Sequence, residues 1–394
     1  MKYATRPGRV PARRGPWRTR EPILVPVITV DAEAGFRSLG QPAARRIARQ
    51  ALVHGRAGRT LLVHGPPGAG KDAFVEDLLA LSFCSDADTS RHPCNQCRGC
   101  RDARSRAHPD LVVGSPDGWR DQRSTGESIV AAARRWLLEA AGAPVVADRR
   151  MVLIERADRA NEQIQNALLK TLEEPTDRHV FVLVADEPSR LLPTIRSRCQ
   201  PIRLGAVPRA ELVTHLMDVE RLPQDQADTL ARIAAGMSGT AVAYARNREL
   251  LTWRNRLQSE LLSLLERGRA DRLGAVRDLI DDTVALVPAR ATDDEEVRTP
   301  ASVQREAALL VVDVWMSLTR DLLVAAAGRP ELAPSGELAA ELGTLAARVG
   351  VHPLRAMLGR LEKIHAGLRE NAAPKLALEA GMLAWPMLPA RPER

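Results

Sequence analysis

The sequence predicts a parallel α/β sheet domain followed by an all-helical remainder. Three observations predict it. An apolar run, Leu61-Leu62-Val63, feeds a glycine-rich loop, Gly65-Pro66-Pro67-Gly68-Ala69-Gly70-Lys71, that opens a helix. Two more continuous apolar runs, residues 151–154 and 180–184, have the character of strands buried on both faces, with helical segments between them. After Arg203 only helical periodicity remains.

The elements follow in order. Residues 43–53 read as a helix with Ile47 and Leu52 inward. After the first strand and the loop, residues 74–81 carry apolar side chains at helical spacing. A cysteine-containing module runs to about residue 100, and a polar stretch with His108-Pro109-Asp110 follows. Residues 128–141 form a helix, 151–154 a strand, and 161–172 a helix with Ile164, Leu168, Leu169 and Leu172 on one stripe. The run at 180–184 is the third strand. Residues 208–217 and 224–235 are two short helices, the second ended by Gly236 and Gly239. Residues 288–300 make an acidic, proline-bounded loop with Asp293, Asp294, Glu295 and Glu296. Residues 302–327 and 335–388 are strongly helical, and the stripe Leu354, Met357, Leu358, Leu361, Ile364 reads as a packing seam.

Composition sets bounds. The 394 residues allow two or three domains, and 45% hydrophobic residues supply a large core. No apolar stretch is long and unbroken enough to span a membrane, so no membrane association is expected. The net charge of +8 hints weakly at nucleic acid. Much of that excess lies in Lys2, Arg6, Arg9, Arg13, Arg14, Arg18 and Arg20, a proline-rich basic arm that reads as disordered. A transit peptide is the other reading of the arm, but no amphipathic pattern supports it, and a cytoplasmic location is expected.

The glycine loop has the form of a phosphate cradle. Its glycines turn backbone N–H groups inward, and Lys71 neutralises phosphate charge. The motif departs at its last position, where Asp72 replaces the serine or threonine whose hydroxyl holds Mg²⁺. A carboxylate there has access to Mg²⁺ but repels the phosphates. The plain alternative is a Gly/Pro-rich turn capping an ordinary helix.

Cys84, Cys94, Cys97 and Cys100 follow with the spacing C-x9-C-x2-C-x2-C. Thiolates in tight C-x2-C steps suit tetrahedral Zn²⁺, and four of them leave no open coordination position, so the role is structural. Disulfides or unrelated thiols are the competing readings; no secretory signal is visible to favour disulfides. Cys199 is distant and not needed as a ligand, and His108 is better read as a turn residue before Pro109.

Two blocks carry a resemblance. They are Asn166-Ala167-Leu168-Leu169-Lys170-Thr171-Leu172-Glu173-Glu174-Pro175 and Leu191-Leu192-Pro193-Thr194-Ile195-Arg196-Ser197-Arg198-Cys199. With the cysteine module, His108-Pro109-Asp110 and Asn371-Ala372-Ala373-Pro374-Lys375, the chain resembles the delta-prime subunits of the bacterial DNA polymerase III clamp loader, an AAA+ family. The resemblance covers residues 36–386. It implies a RecA-like AAA+ sheet domain at 23–204 with a zinc module at 84–100, a helical lid at 205–248 and a helical collar at 249–394, after the basic arm at 1–22.

The resemblance also implies a damaged ATP site. Active family members carry an Asp-Glu pair after the second strand; here Glu155-Arg156 stands there, and an arginine cannot act as a base. Asp158 is out of register, Ala185-Asp186 replaces the polar sensor, and Gly236-Met237-Ser238-Gly239-Thr240-Ala241 lacks the lid arginine. Hydrolysis by this chain is therefore not expected, and ATP/Mg²⁺ binding through Gly65, Pro66, Gly68, Gly70, Lys71, Asp72 and Glu155 is expected to be weak or absent. By the same resemblance, Arg198 is an arginine finger acting in trans on a neighbour's ATP; a local ion pair is the plain reading. Lys170, Glu173 and Glu174 read as a helix end. The implied partners are motor and delta subunits in a hetero-pentamer, the sliding clamp, and primer-template DNA through the assembly; the basic arm reads either as a solvated tail or as a contact to DNA phosphates, with the tail the plainer reading. Two rivals stand: an ATP-hydrolysing motor subunit, and an AAA+ module whose zinc finger binds DNA. The residues nearest the cysteines, including Arg91, Arg98 and Arg101, are only moderately basic.

Overall fold

The computed structural model describes residues 35–54, 59–121, 124, 126–173, 178–286, 300–329, 333, 339–370 and 372–388. The basic arm, the start of ordered structure near residue 23, the acidic loop at 288–299, Glu174-Pro175 and Asn371 lie outside them, as does the side chain of Lys170.

Helix α1 (Pro42–Leu52) precedes strand β1 (Thr60–His64), and α2 (Lys71–Phe83) follows the glycine loop. Then come α3 (Arg98–Arg104), β2 (Leu111–Gly114), α4 (Pro116–Asp121), α5 (Ile129–Ala140) and β3 (Arg150–Ile154). Next are α6 (Glu162–Glu173), β4 (His179–Ala185), α7 (Pro193–Arg196) and β5 (Gln200–Arg203). The five strands make one parallel sheet in the order β2-β3-β4-β1-β5.

Strand alternation explains the two-sided core. Leu61, Val63, Met151, Leu153, Val182 and Val184 face α1 and α2 in one cluster. Leu62, Val152, Ile154, Phe181 and Leu183 face α5 and α6 in another. Side-chain caps fix helix starts: Ser128 accepts from the Ala131 amide and Asn161 from the Ile164 amide.

The sequence pattern misses β2 and β5, both four-residue edge strands: β2 is apolar but short, with Leu111 and Val112 half-buried and Val113 exposed, and Ile202 is the one buried residue of β5. Pro201 is tolerated in β5 because an edge strand needs donors on one side only.

The helical remainder comprises α8 (Arg209–Asp218), α9 (Gln224–Ile233), α10 (Ser238–Arg246), α11 (Arg248–Ser263), α12 (Arg269–Val284), α13 (Pro300–Ala326), α14 (Ala339–Val349), α15 (Val351–Arg369) and α16 (Pro374–Ala384). Helices α8 to α10 share a small apolar cluster around Leu212, Leu216 and Leu230. Helices α11 to α16 surround a larger one that includes Trp315, Trp385, Leu354, Met357 and Leu361. One expectation is corrected: Gly239 does not end α9 but sits in the first turn of α10, where a Cβ would stand 3.0 Å from the Gly68 carbonyl oxygen. Gly236, with φ at +82°, does make the turn between the two helices.

Candidate functional site

Helix α2 carries a candidate site at each end. Gly70, with φ at +86°, sits at its N-cap and turns the chain out of the glycine loop. Cys84 is its C-cap.

At the N-terminal end the predicted phosphate-loop residues converge, but their own fold satisfies them. The Lys71 ammonium has three hydrogens to donate. It donates to the carbonyl oxygens of Gly65 and Pro66, each at 2.8 Å, and pairs with the Asp186 carboxylate at 2.7 Å. The first turn of α10 presses on the loop: the Gly239 amide donates to the Gly68 carbonyl at 2.8 Å, and Ser238 Oγ to the Ala69 carbonyl at 3.3 Å. A Cβ at Gly68 would lie 2.0 Å from Thr240 Oγ1.

The two acids aligned with magnesium ligands share a cation of the chain itself. Arg106 pairs with Glu155 at 2.5 Å and reaches Asp72 at 3.9 Å. Burial alone would lower the Arg106 pKa, yet Glu155, Asp72 and Glu76 outweigh it and raise it. Arg156, where the family pattern has an acid, pairs with Glu306 at 2.9 Å and Asp117 at 3.5 Å.

A buried arginine from the far end of the chain completes this arrangement. Arg369, at the end of α15, has a side chain only 3% exposed. It pairs with Asp186, with Glu187 at 3.1 Å, and comes within 3.8 Å of Asp158. The Asp158 carboxylate in turn accepts from the Asp186 and Glu187 amides. Burial pushes the Asp158 carboxyl up. Burial would do the same to Asp186, but Lys71 and then Arg369 outweigh it and hold it below the usual carboxylate range. Sequence reasoning missed Arg106 and Arg369, since nothing local distinguishes them among 57 lysines and arginines.

At the C-terminal end of α2, the four cysteine sulfurs all lie within 4.8 Å of one another. Tetrahedral zinc with bonds near 2.3 Å needs sulfurs about 3.8 Å apart. Backbone amides point at the sulfurs: Cys94 to Cys84, Cys97 to Cys94, and Cys100 to Cys97, each at 3.4 Å. Burial pushes the Cys97 thiol up, but amide hydrogen bonds from Ser85 and Cys100 outweigh it and bring it down to about 6. Burial pushes the Cys84 and Cys100 thiols up, so it is the closeness of the four sulfurs and their soft-donor chemistry that fit a metal ion. Cys199 stands apart in the sheet core, where burial pushes it up to about 12. His108 is not in the cluster; it stacks on Phe83 with centroids 3.7 Å apart, and its Nδ1 accepts from the Asp110 amide.

The cysteine cluster, the glycine loop and the Ser-Arg-Cys turn all fall within residues 40–208, which match a family model described as DNA polymerase III, delta subunit. DNA polymerase III subunit delta' of Escherichia coli is 33% identical over 189 residues, 48% of this chain and 55% of that one. The corresponding protein of Yersinia pestis is 30% identical over 233 residues, 59% of this chain and 67% of that one. The chain belongs to the DNA polymerase III delta-prime family. The chain spans little more than half the length of the first curated relatives it matches. DNA polymerase III subunit gamma/tau of Mycobacterium tuberculosis is also similar, 29% identical over 222 residues, 51% of this chain and 37% of that one.

Within this delta-prime family member, Arg198 lies just after α7, with a side chain 37% exposed. It donates to the Thr194 carbonyl and pairs with Glu173, both at 2.8 Å. Glu173 therefore has a local role as the partner of Arg198. Among the described residues no helix is long and apolar enough to cross a membrane.

Proposed function

We propose that this chain is a delta-prime-type subunit of a DNA polymerase III clamp loader, which helps place a sliding clamp on primer-template DNA. It works in assembly with motor and delta subunits, and it does not hydrolyse ATP. The observation that carries the second statement is the saturation of Lys71 by Gly65, Pro66 and Asp186. A carboxylate stands where the lysine would meet phosphate, and the Arg106 guanidinium stands between the acids that would meet Mg²⁺. ATP would have to displace both.

The sheet domain at 23–204, the lid at 205–248 and the collar at 249–394 are the division this reading uses. Cys84, Cys94, Cys97 and Cys100 hold a structural Zn²⁺, which ties the segment after α2 together. Arg198 acts in trans. On a neighbour's ATP its guanidinium would stabilise charge developing on the γ-phosphate, an effect worth about 10³–10⁵ in rate where arginine fingers act. Its exposure and its weak surface pairing to Glu173 support this, since surface ion pairs contribute only about 0–1 kcal/mol and yield to a stronger anion.

The test is ATP hydrolysis by the purified chain, alone and then with motor and delta subunits, clamp and primed DNA. No turnover alone, with stimulation in the mixture that Arg198→Ala abolishes at one site, is the expected result. Robust turnover by the chain alone would favour the motor-subunit reading, to which the gamma/tau similarity also points.

A further inference from the structure

The cysteine module grips the segment of chain that leads into α1. Asn95, between Cys94 and Cys97, donates from Nδ2 to the Gly35 carbonyl at 2.7 Å. Arg104, one helical turn beyond Cys100 on α3, donates to the same carbonyl at 3.2 Å and to the Asn95 side-chain oxygen at 2.7 Å. Pro93 lies so close to Gly35 that a Cβ there would stand 2.0 Å from the Pro93 carbonyl oxygen.

Asp77 of α2 secures the same segment from within. Its carboxylate, fully buried, accepts from the Arg37 amide at 2.9 Å and the Ser38 amide at 2.8 Å, and it pairs with Arg104 at 2.8 Å. A buried carboxylate needs such a cation, because removing one partner leaves the other charge unpaired. At its far end the segment reaches the junction between β5 and α8. Gln41 Nε2 donates to the Gly205 carbonyl at 2.7 Å, and Gln41 Oε1 accepts from the Gly205 amide at 3.2 Å. One side chain thus holds both backbone groups of Gly205. Beyond the junction lie α8 to α10, and α10 rests on the glycine loop through Ser238 and Gly239.

We propose that the four cysteines, when they hold a metal ion, order residues 35–41 as well as their own loop, and that Gln41 passes this order to the junction at Gly205. Cys94 and Cys97 bracket the turn that carries Asn95, and Cys100 lies on the helix that carries Arg104. Tied to one ion, these ligands hold both donors in a common frame. Untied, the sulfurs keep only weak contacts from backbone amides, and metal-dependent loops of this kind lose their structure. The Gly35 carbonyl then loses both its side-chain donors, and Asp77 loses its cation. The cysteine module is in this way an anchor for the seating of α8 to α10, not a separate appendage of α2.

The inference rests on the structural metal proposed above, so the zinc content of the purified full chain is measured first. Amide hydrogen exchange is then followed in peptides covering residues 35–41 and 204–207, with zinc bound, after a strong chelator, and after zinc is added back. Chelation should speed exchange about 10-fold in both peptides, as the loss of one or two hydrogen bonds does, and zinc should restore it. Two variants leave every cysteine in place. Asn95 and Gln41 have φ of +60° and +65°, which glycine accepts without strain, so N95G and Q41G remove only the side chain. With zinc bound, N95G should speed exchange about 3-fold or more in both peptides, and Q41G only at 204–207. Should the chelated chain unfold throughout, these zinc-loaded variants decide the matter. Zinc bound, with residues 35–41 equally protected in N95G or without metal, overturns the anchor while the structural metal stands. Residues 35–41 loosened with 204–207 unmoved overturns the link to α8. A chain that takes up no zinc brings down the structural-metal reading and this inference with it.

Discussion

The two ends of α2 present two sequence motifs with opposite fates in the fold. At its N-terminus, the phosphate loop has the glycines and the lysine of a nucleotide cradle, yet Lys71 is fully engaged by Gly65, Pro66 and Asp186. At its C-terminus, four sulfurs lie together, and backbone amides of Ser85, Cys94, Cys97 and Cys100 point at them. The cations and acids of one loop pair within the chain, whereas the four sulfurs of the other have the chemistry to hold a cation. A motif specifies backbone geometry; whether a site admits a ligand depends on which counter-charges the rest of the fold brings to it.

The largest expected effect lies at the cysteine end. Zinc-finger peptides bind Zn²⁺ with an apparent free energy of about 10–16 kcal/mol, so removing metal should unfold the segment between α2 and α3. Elemental analysis should find one zinc per chain, and Cys97→Ser or a strong chelator should abolish amide protection there. Retained protection without metal would put both ends of α2 in the same class, as self-satisfied loops.

Next comes the ionic lock at the other end. Removing one partner of a buried ion pair costs about 3–5 kcal/mol, and Asp186 keeps Lys71 as a second partner, so Arg369→Met should destabilise by about 3 kcal/mol or somewhat less. Urea unfolding measures it. No change would mean that the lock does not hold α15 to the sheet.

A smaller effect is expected from pH. The Asp186 carboxyl is held below its ordinary value in the folded chain, so near that pH the unfolded chain binds more protons. Its contribution is complete above about pH 4, the unfolded carboxyl value, and is lost as pH falls through the lower folded value. The stability difference between wild type and Asp186→Asn should therefore be equal at pH 7 and pH 5 and should shrink below about pH 4. A difference already shrinking between pH 7 and 5 would contradict the pairing.

The smallest effect is the sharpest test. Asp72→Ser restores the hydroxyl of an active phosphate loop but leaves Lys71 occupied, so titration with a fluorescent ATP analogue should show no gain in affinity. Micromolar binding by this variant would mean that the motif alone, and not its neighbours, had closed the site.

The sequence alone determined what depends on local pattern. The three buried strands read as continuous apolar runs because both their faces pack, and the structure extends them by only a residue or two. The cysteine cluster was legible because its ligands lie within 17 residues, where backbone geometry brings sulfurs together. The sequence also marked Glu155-Arg156 as an altered acid pair. Tertiary structure decided the rest. Edge strand β5 exists because β1 offers it hydrogen-bonding partners, not because its side chains demand it, and β2 is an apolar run too short to be told from a loop until β3 pairs with it. The closure of the phosphate loop comes from Asp186, Ser238 and Gly239, with Arg369 beyond them, residues more than a hundred positions away from Lys71. Charge pairing acts through space with no period along the chain, so a buried arginine looks like any other until the fold places an acid beside it.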